Sequence, residues 1–267
     1  MHPEILVQNI EKCKQATSNP FGVNVPLLYP EIEKIMEIII QLDVPIVFTS
    51  AGNPNTWTAY LKERNRTVVH VVSSSKFAKK AEAAGVDAVV AEGFEAGGHN
   101  GREETTTFVL LPIVKEAITI PLLAAGGIAS GRAMLAAEAL GAEGFQIGSL
   151  FAAAEESSAH VNFKNRVIDA KEGDTVLTLK QITPVRLIKN QFYQQVLEAE
   201  SNQASVDDLK SLLGKGRAKK GIFEGDLAEG ELEIGQVAAM INSIQPASEI
   251  VSSLWNQYLQ AKNQLCQ

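Results

Sequence analysis

The stretch AEGFEAGGHNG, residues 91–101, holds four glycines, two carboxylates and one histidine. Glycine loses the most conformational freedom on folding, so a chain concentrates it where backbone turns sharply or comes close to another group. Histidine is the side chain best suited to moving protons near neutral pH. A carboxylate placed beside an imidazole favours its charged form and fixes its tautomer, and Glu92 and Glu95 lie nearby in sequence. Spacing alone leaves two readings open, a proton-moving group at a ligand mouth and a structural histidine in a turn. A second candidate is the pair LLAAGGIASG (122–131) and GFQIGSLF (144–151), two apolar runs that end in glycine and are joined by one helical segment. Such paired glycine ends can turn successive backbone N–H groups toward an anion such as phosphate. A tight turn at Gly126 and Gly127 is the plainer reading.

Other candidates carry less chemistry. His70 lies inside the apolar run VVHVV, the place of a packed group, and His2 and His160 lack any such setting. GKGRAKKG (214–221) has the composition of a phosphate loop without its spacing or a preceding strand, and reads as a solvated basic turn.

The elements that must position these residues follow from hydrophobic periodicity. Short apolar runs at 20–25, 44–52, 67–74, 87–93, 120–127 and 141–151 alternate with segments of helical period such as PEIEKIMEIIIQL (30–42). Continuous apolar strands alternating with helices define an α/β fold with a parallel sheet. Asn24, Gly52, Glu92, Gly126 and Gly148 fall at strand ends, the ligand face of such folds. The count is six strands, two short of a closed (β/α)₈ barrel, and the chain opens on a helix-like segment, PEILVQNIEKCKQA. The edges at Val23 and Phe145 are therefore expected to be unpaired, with poor solubility, weak cofactor loading or a homodimer across the gap as the expected consequences. Residues 154–190 read as mixed and 205–264 as helical.

The 267 residues carry a net charge of −7, which argues against a nucleic-acid footprint. No apolar stretch is long enough to span a bilayer, and the N-terminus lacks a signal-peptide pattern. Cys13 and Cys266 provide neither a disulfide framework nor a metal-ligand spacing, so no metal is expected and the cytoplasm is the expected compartment.

The motifs PFGVNV, AGNP, AEGFEAGGHNG, PLLAAGGIASGRAM, ALGAEGFQIGSLF and GQVAAMI resemble, in that order, the nitronate monooxygenase family. This FMN-dependent group, once called 2-nitropropane dioxygenases, includes flavin-dependent enoyl-acyl-carrier-protein reductases. The resemblance runs from about Pro20 to the final helix and implies a TIM-type (β/α)₈ barrel. Relatives begin with a further βαβ unit bearing a Gly-Gly-Met stretch, which accounts for the two-strand deficit. The expected organisation is an FMN-binding α/β barrel over 1–153 and 154–190, with a helical extension or lid over 191–267. The resemblance implies Asn24 beside the flavin ring, and Glu92 and Gly98 in the loop bordering it. It makes His99 the base of nitroalkane oxidation, Gly126, Gly127, Gly148 and Ser149 the FMN phosphate cradle, and Ala125 a further FMN-binding residue. Gly235 and Gln236 match a loop closing over the site. The implied reaction is oxidation of a small-molecule nitronate by O₂. A reductase passing hydride from NAD(P)H to an enoyl thioester is the near alternative. An inactive remnant and a flavin-free sugar-phosphate barrel enzyme are the others.

Overall fold

The structure, a computed structural model, describes residues 2–265, so Cys266 lies outside the described residues. The strands are β1 (Gly22–Pro26), β2 (Ile46–Ser50), β3 (Thr67–Val72), β4 (Ala88–Glu92), β5 (Gly98–His99), β6 (Leu122–Ala125), β7 (Gly144–Gln146), β8 (Thr175–Thr178) and β9 (Val185–Ile188). The α-helices are α1 (Pro3–Ala16), α2 (Ile32–Gln41), α3 (Thr58–Lys62), α4 (Ser75–Ala83), α5 (Thr107–Ala117), α6 (Gly131–Ala139), α7 (Ser149–Ala152), α8 (Val161–Ile168), α9 (Gln191–Ser201), α10 (Val206–Leu213) and α11 (Ala247–Leu265). All six expected strands form one sheet, in the order β1-β2-β3-β4-β6-β7. The β1–β2, β2–β3 and β3–β4 pairs are parallel, with Asn24 opposite Phe48 and Thr49 opposite His70. Helices between successive strands make this an α/β fold. The stretch expected to be mixed holds the β8–β9 hairpin, which joins β5 in an antiparallel sheet of order β5-β9-β8.

Two compact units are distinguished. One takes the chain up to Ala91 together with Ile113–Leu123, and the other takes Glu92–Pro112 and the described residues from Ala124 onward. In the first unit, α2 buries Ile32, Ile35, Met36, Ile38 and Ile39, a stripe at three- and four-residue spacing. Ser74 caps α4 by accepting the Phe77 N–H at 3.4 Å. Strand β3 is β-branched and almost wholly buried, which suits a covered parallel strand. A groove beside β1 is lined by Asn24, Cys13, Ile10 and Phe21. In the second unit, α11 packs on α6 so closely that a side chain at Gly131 would meet the Tyr258 backbone nitrogen at 2.1 Å. The contact is closed by the Tyr258 hydroxyl donating to Glu138 at 2.8 Å and Lys262 donating to the same carboxylate at 2.7 Å.

His70 is buried, and its Nδ1 lies 2.7 Å from the Thr49 hydroxyl. Burial, aided by Lys80, lowers its pKa from 6.5 to about 4. The unfolded chain therefore takes up this proton well before the folded one. The stability gained by keeping the imidazole neutral is complete above 6.5 and is lost as the pH falls toward about 4. At about 1.4 kcal/mol per pKa unit the loss is on the order of 3 kcal/mol. His70→Gln should flatten the acid-side fall of the urea midpoint relative to the parent. Parallel falls in the two proteins would contradict the assignment.

Candidate active site

Every residue lining the cavity at the ends of β4, β6 and β7 belongs to the second unit. The cavity is about 240 Å³. Its walls are Glu92 from the end of β4, the loop Glu95–Gly98, Ala125–Ile128 after β6, and Gln146–Ser149 at the end of β7. Glu233, Ile234 and Val237 complete it, with Ala152 and Ile222. Three strand ends and one returning segment thus converge on a surface that is mostly glycine and small apolar atoms.

The backbone makes this closeness possible. Gly126 and Gly127 sit at φ +86° and +71°, a region that L-residues rarely adopt, and a side chain on Gly126 would strike the Gly93 carbonyl at 2.7 Å. Gly148 is different. Its φ is −101°, which any residue tolerates, and a Cβ there would meet no atom within 4 Å. The protein leaves open space in front of this Cα.

Glu95 organises the loop. It accepts the Thr107 backbone N–H at 2.9 Å and so sits at the N-terminus of α5, where a carboxylate is favoured. The Thr107 hydroxyl lies 3.0 Å from Glu95 Oε2 and 2.9 Å from the Gly126 carbonyl oxygen, and shares its one proton between them. The Glu95 carbonyl accepts the Gln236 N–H at 2.9 Å, and Ser149 Oγ accepts the Gly235 N–H at 3.1 Å, so the returning segment is tied to both walls. Thr107→Val should cost about 0.5–1.5 kcal/mol, because it leaves two part-buried acceptors short of a donor. Urea unfolding at constant slope checks this, and an unchanged midpoint would show the hydroxyl to be idle.

Electrostatically the lining is acidic, with Glu92, Glu95 and Glu233 and no basic side chain. Burial pushes Glu92 up to about 7. It also raises Glu233, against an opposing pull from His99. Near neutral pH these two carboxyls therefore hold protons more readily than ordinary glutamates. Arg186 is buried on β9, donates through Nε and Nη2 to the Phe94 carbonyl at 3.1 and 3.0 Å, and lies over the Phe94 ring.

The structure brings together Glu92, Gly98, Ala125, Gly126, Gly127, Gly148 and Ser149. His99 follows Gly98 on β5, is exposed, and is not among the lining residues. Gln236 is exposed, and only its backbone joins the loop. Asn24 is exposed on β1 in the first unit. Sequence reasoning did not single out Thr107, Arg186 or Glu233. Arg186 left a trace as the one charge in the apolar run VRLI, whereas Thr107 and Glu233 acquire meaning only through pairing distant in sequence. Among the described residues no group of three or more His, Cys, Asp or Glu side chains could hold a metal, and no helix is long and apolar enough to cross a membrane.

The chain is similar in sequence and fold to proteins with known names. The model of the nitronate monooxygenase family matches residues 30–257. A probable nitronate monooxygenase from Staphylococcus aureus (strain N315) is 31% identical over 300 residues, covering 94% of this chain and 83% of that protein. The probable nitronate monooxygenase of Staphylococcus saprophyticus is 32% identical over 243 residues, covering 83% and 68%. Among solved structures, FabK from Thermotoga maritima is 38% identical with a TM-score of 0.93, over 99% of this chain and 84% of that one. Nitroalkane oxidase from Streptomyces ansochromogenes is 28% identical with a TM-score of 0.83, over 98% and 87%. The chain belongs to the nitronate monooxygenase family, a family of oxidoreductases.

Proposed function

We propose that the cavity binds FMN and that the protein is a cytoplasmic FMN-dependent oxidoreductase that oxidises alkyl nitronates with O₂. The observation that carries this reading is Gly148, whose bare Cα faces open space beside Gly126, Gly127 and Ser149 in a chain of this family. The donor set fits the group: backbone N–H groups at glycines admit close approach of a phosphate, and small apolar walls accept a flat ring. In this reading the six-stranded sheet corresponds to the last six strands of a (β/α)₈ barrel, with 191–267 as its helical extension. Gly126, Gly127, Gly148 and Ser149 would hold the phosphate, and Ala125, Glu92 and Gly98 would border the rest. The places of Asn24 beside the ring and of Gln236 in a closing loop stand on the family resemblance alone.

When bound, FMN supplies the two-electron redox chemistry and the reaction with O₂. The protein's own residues bind, orient and move protons. His99 at the cavity rim takes the α-proton of a neutral nitroalkane onto its imidazole, a step that a preformed nitronate does not need. Protonated Glu92 is a donor facing the cavity, suited to a nitronate oxygen or a carbonyl. The apolar walls exclude water.

A second reading is favoured by the likeness to FabK, at 38% identity. Here NAD(P)H would be oxidised and an enoyl thioester reduced at the same cavity. Two assays separate the readings. Oxygen uptake with propyl-2-nitronate and no nicotinamide supports the first. Anaerobic bleaching by NADPH, reversed by an enoyl thioester, with no oxygen uptake on nitronate, would replace it with the second.

A further inference from the structure

We propose that Ser149 is a positioning residue that links the phosphate end of the cavity to the segment 233–237, so that a phosphate seated there and the docked segment hold each other in place. The inference rests on the FMN reading of the cavity and deepens it. Ser149 lines the cavity beside Gly148, and its Oγ accepts the Gly235 N–H at 3.1 Å. A serine hydroxyl has one proton to give and two lone pairs to receive with. Gly235 takes one lone pair, and among the described residues no acceptor meets the proton. That proton is left for a group bound in the cavity. The same oxygen atom thus receives from the segment and can give to the bound group.

The segment is anchored at both ends and docked in its middle. Its start is held by the bridge from Glu233 to Leu187, and beyond its end Ala238 and Ile241 join the core around Ala153 and Phe163. Between these anchors two hydrogen bonds dock the backbone. The Gly235 N–H goes to Ser149, and the Gln236 N–H goes to the Glu95 carbonyl at 2.9 Å. The fit is close. A Cβ at Gly235 would come 2.9 Å from both the Glu95 carbonyl oxygen and Ser149 Oγ, and one at Gly97 would come 2.3 Å from the Ile234 carbonyl carbon. A change in the Ser149 side chain is therefore felt at Gly235 directly. Glu233, Ile234 and Val237 line the cavity, so what fixes Gly235 also fixes that wall.

A hydroxyl that donates to an anion becomes a better acceptor, because hydrogen bonds in a chain polarise one another and a charged partner polarises most. Donation from Ser149 to a phosphate oxygen therefore strengthens the bond from Gly235. By linkage, the docked segment raises the affinity for phosphate by the same factor. A ligand that carries the ring without the phosphate makes no such demand on the hydroxyl. A serine with a structural role alone would hold Gly235 equally with either ligand or with none.

The test is amide hydrogen exchange in the full chain, free and saturated with FMN, with riboflavin or with inorganic phosphate. It compares the parent with Ser149→Ala and Ser149→Thr. Absorbance reports bound flavin, and the melting temperature of the free proteins reports folding. In the parent, FMN should slow exchange at Gly235 and Gln236 about tenfold more than riboflavin does, a usual size for coupling between sites. Inorganic phosphate alone should slow it as well. Ser149→Ala should lose the difference between the two flavins, and Ser149→Thr, which keeps a hydroxyl, should restore most of it. Equal protection by FMN and riboflavin in a parent that binds both overturns the link and leaves the FMN reading standing. Protection by inorganic phosphate in a parent that binds no flavin overturns that reading and leaves the link. Protection in Ser149→Ala equal to that in the parent assigns the effect to another group and overturns the proposal.

Discussion

Gly148→Leu should fold like its parent and lose FMN. Nothing lies within 4 Å of the position a Cβ would take, and φ −101° is comfortable for leucine, so the substitution brings neither a clash nor backbone strain. Its effect on the stability of the flavin-free protein should stay within about 0.5 kcal/mol, as for open surface positions. The added isobutyl group would instead fill the space beside Gly126, Gly127 and Ser149. A loss of two or more orders of magnitude in FMN affinity is expected, since about 1.4 kcal/mol of lost contact is tenfold and both contact and volume are removed. Flavin fluorescence quenching and a thermal melt on the same sample read both quantities. A variant that melts like the parent and binds FMN equally well would place the cradle elsewhere.

The second large effect is catalytic. His99→Ala should lose about 10²–10⁴-fold on neutral nitroalkanes, the usual contribution of a positioned base, and far less on preformed nitronates. The exposure of His99 matters here, because an imidazole at the rim can exchange its proton with solvent between turnovers. Equal losses on both substrates would make His99 a binding residue. The comparison is read as kcat/KM for nitroethane against its nitronate, with flavin content held equal.

Much of the α/β framework was legible because its strands are short, continuous and apolar. TVVHVV and the β4 run are buried on both sides, and only β-branched or small residues at that density make such a pattern. The α2 stripe was legible from its three- and four-residue spacing. The glycine wall was visible as composition, since four glycines in eleven residues mark close backbone approach wherever they fall. The antiparallel β5-β9-β8 sheet was not legible. Its β5 strand has two residues, too few for any period, and forms only because β9 offers an edge. Thr107 and Glu233 were missed for the same reason. The first reads as one threonine in TTT and gains its role from Glu95 and the Gly126 carbonyl. The second reads as a charge in ELEIG and gains its role from the bridge to Leu187. Local pattern reports what a segment buries, and it carries no information about which distant edge it will meet.

The central claim is that the glycine wall receives the phosphate of FMN. Equilibrium titration of the flavin-free protein with FMN and, in parallel, with riboflavin tests it most directly, because the two ligands share the ring and differ in the phosphate. The account predicts that FMN binds tenfold or more tightly than riboflavin, and that Gly148→Leu removes this preference. Equal affinity for the two ligands, or failure of the parent to bind either, would contradict it.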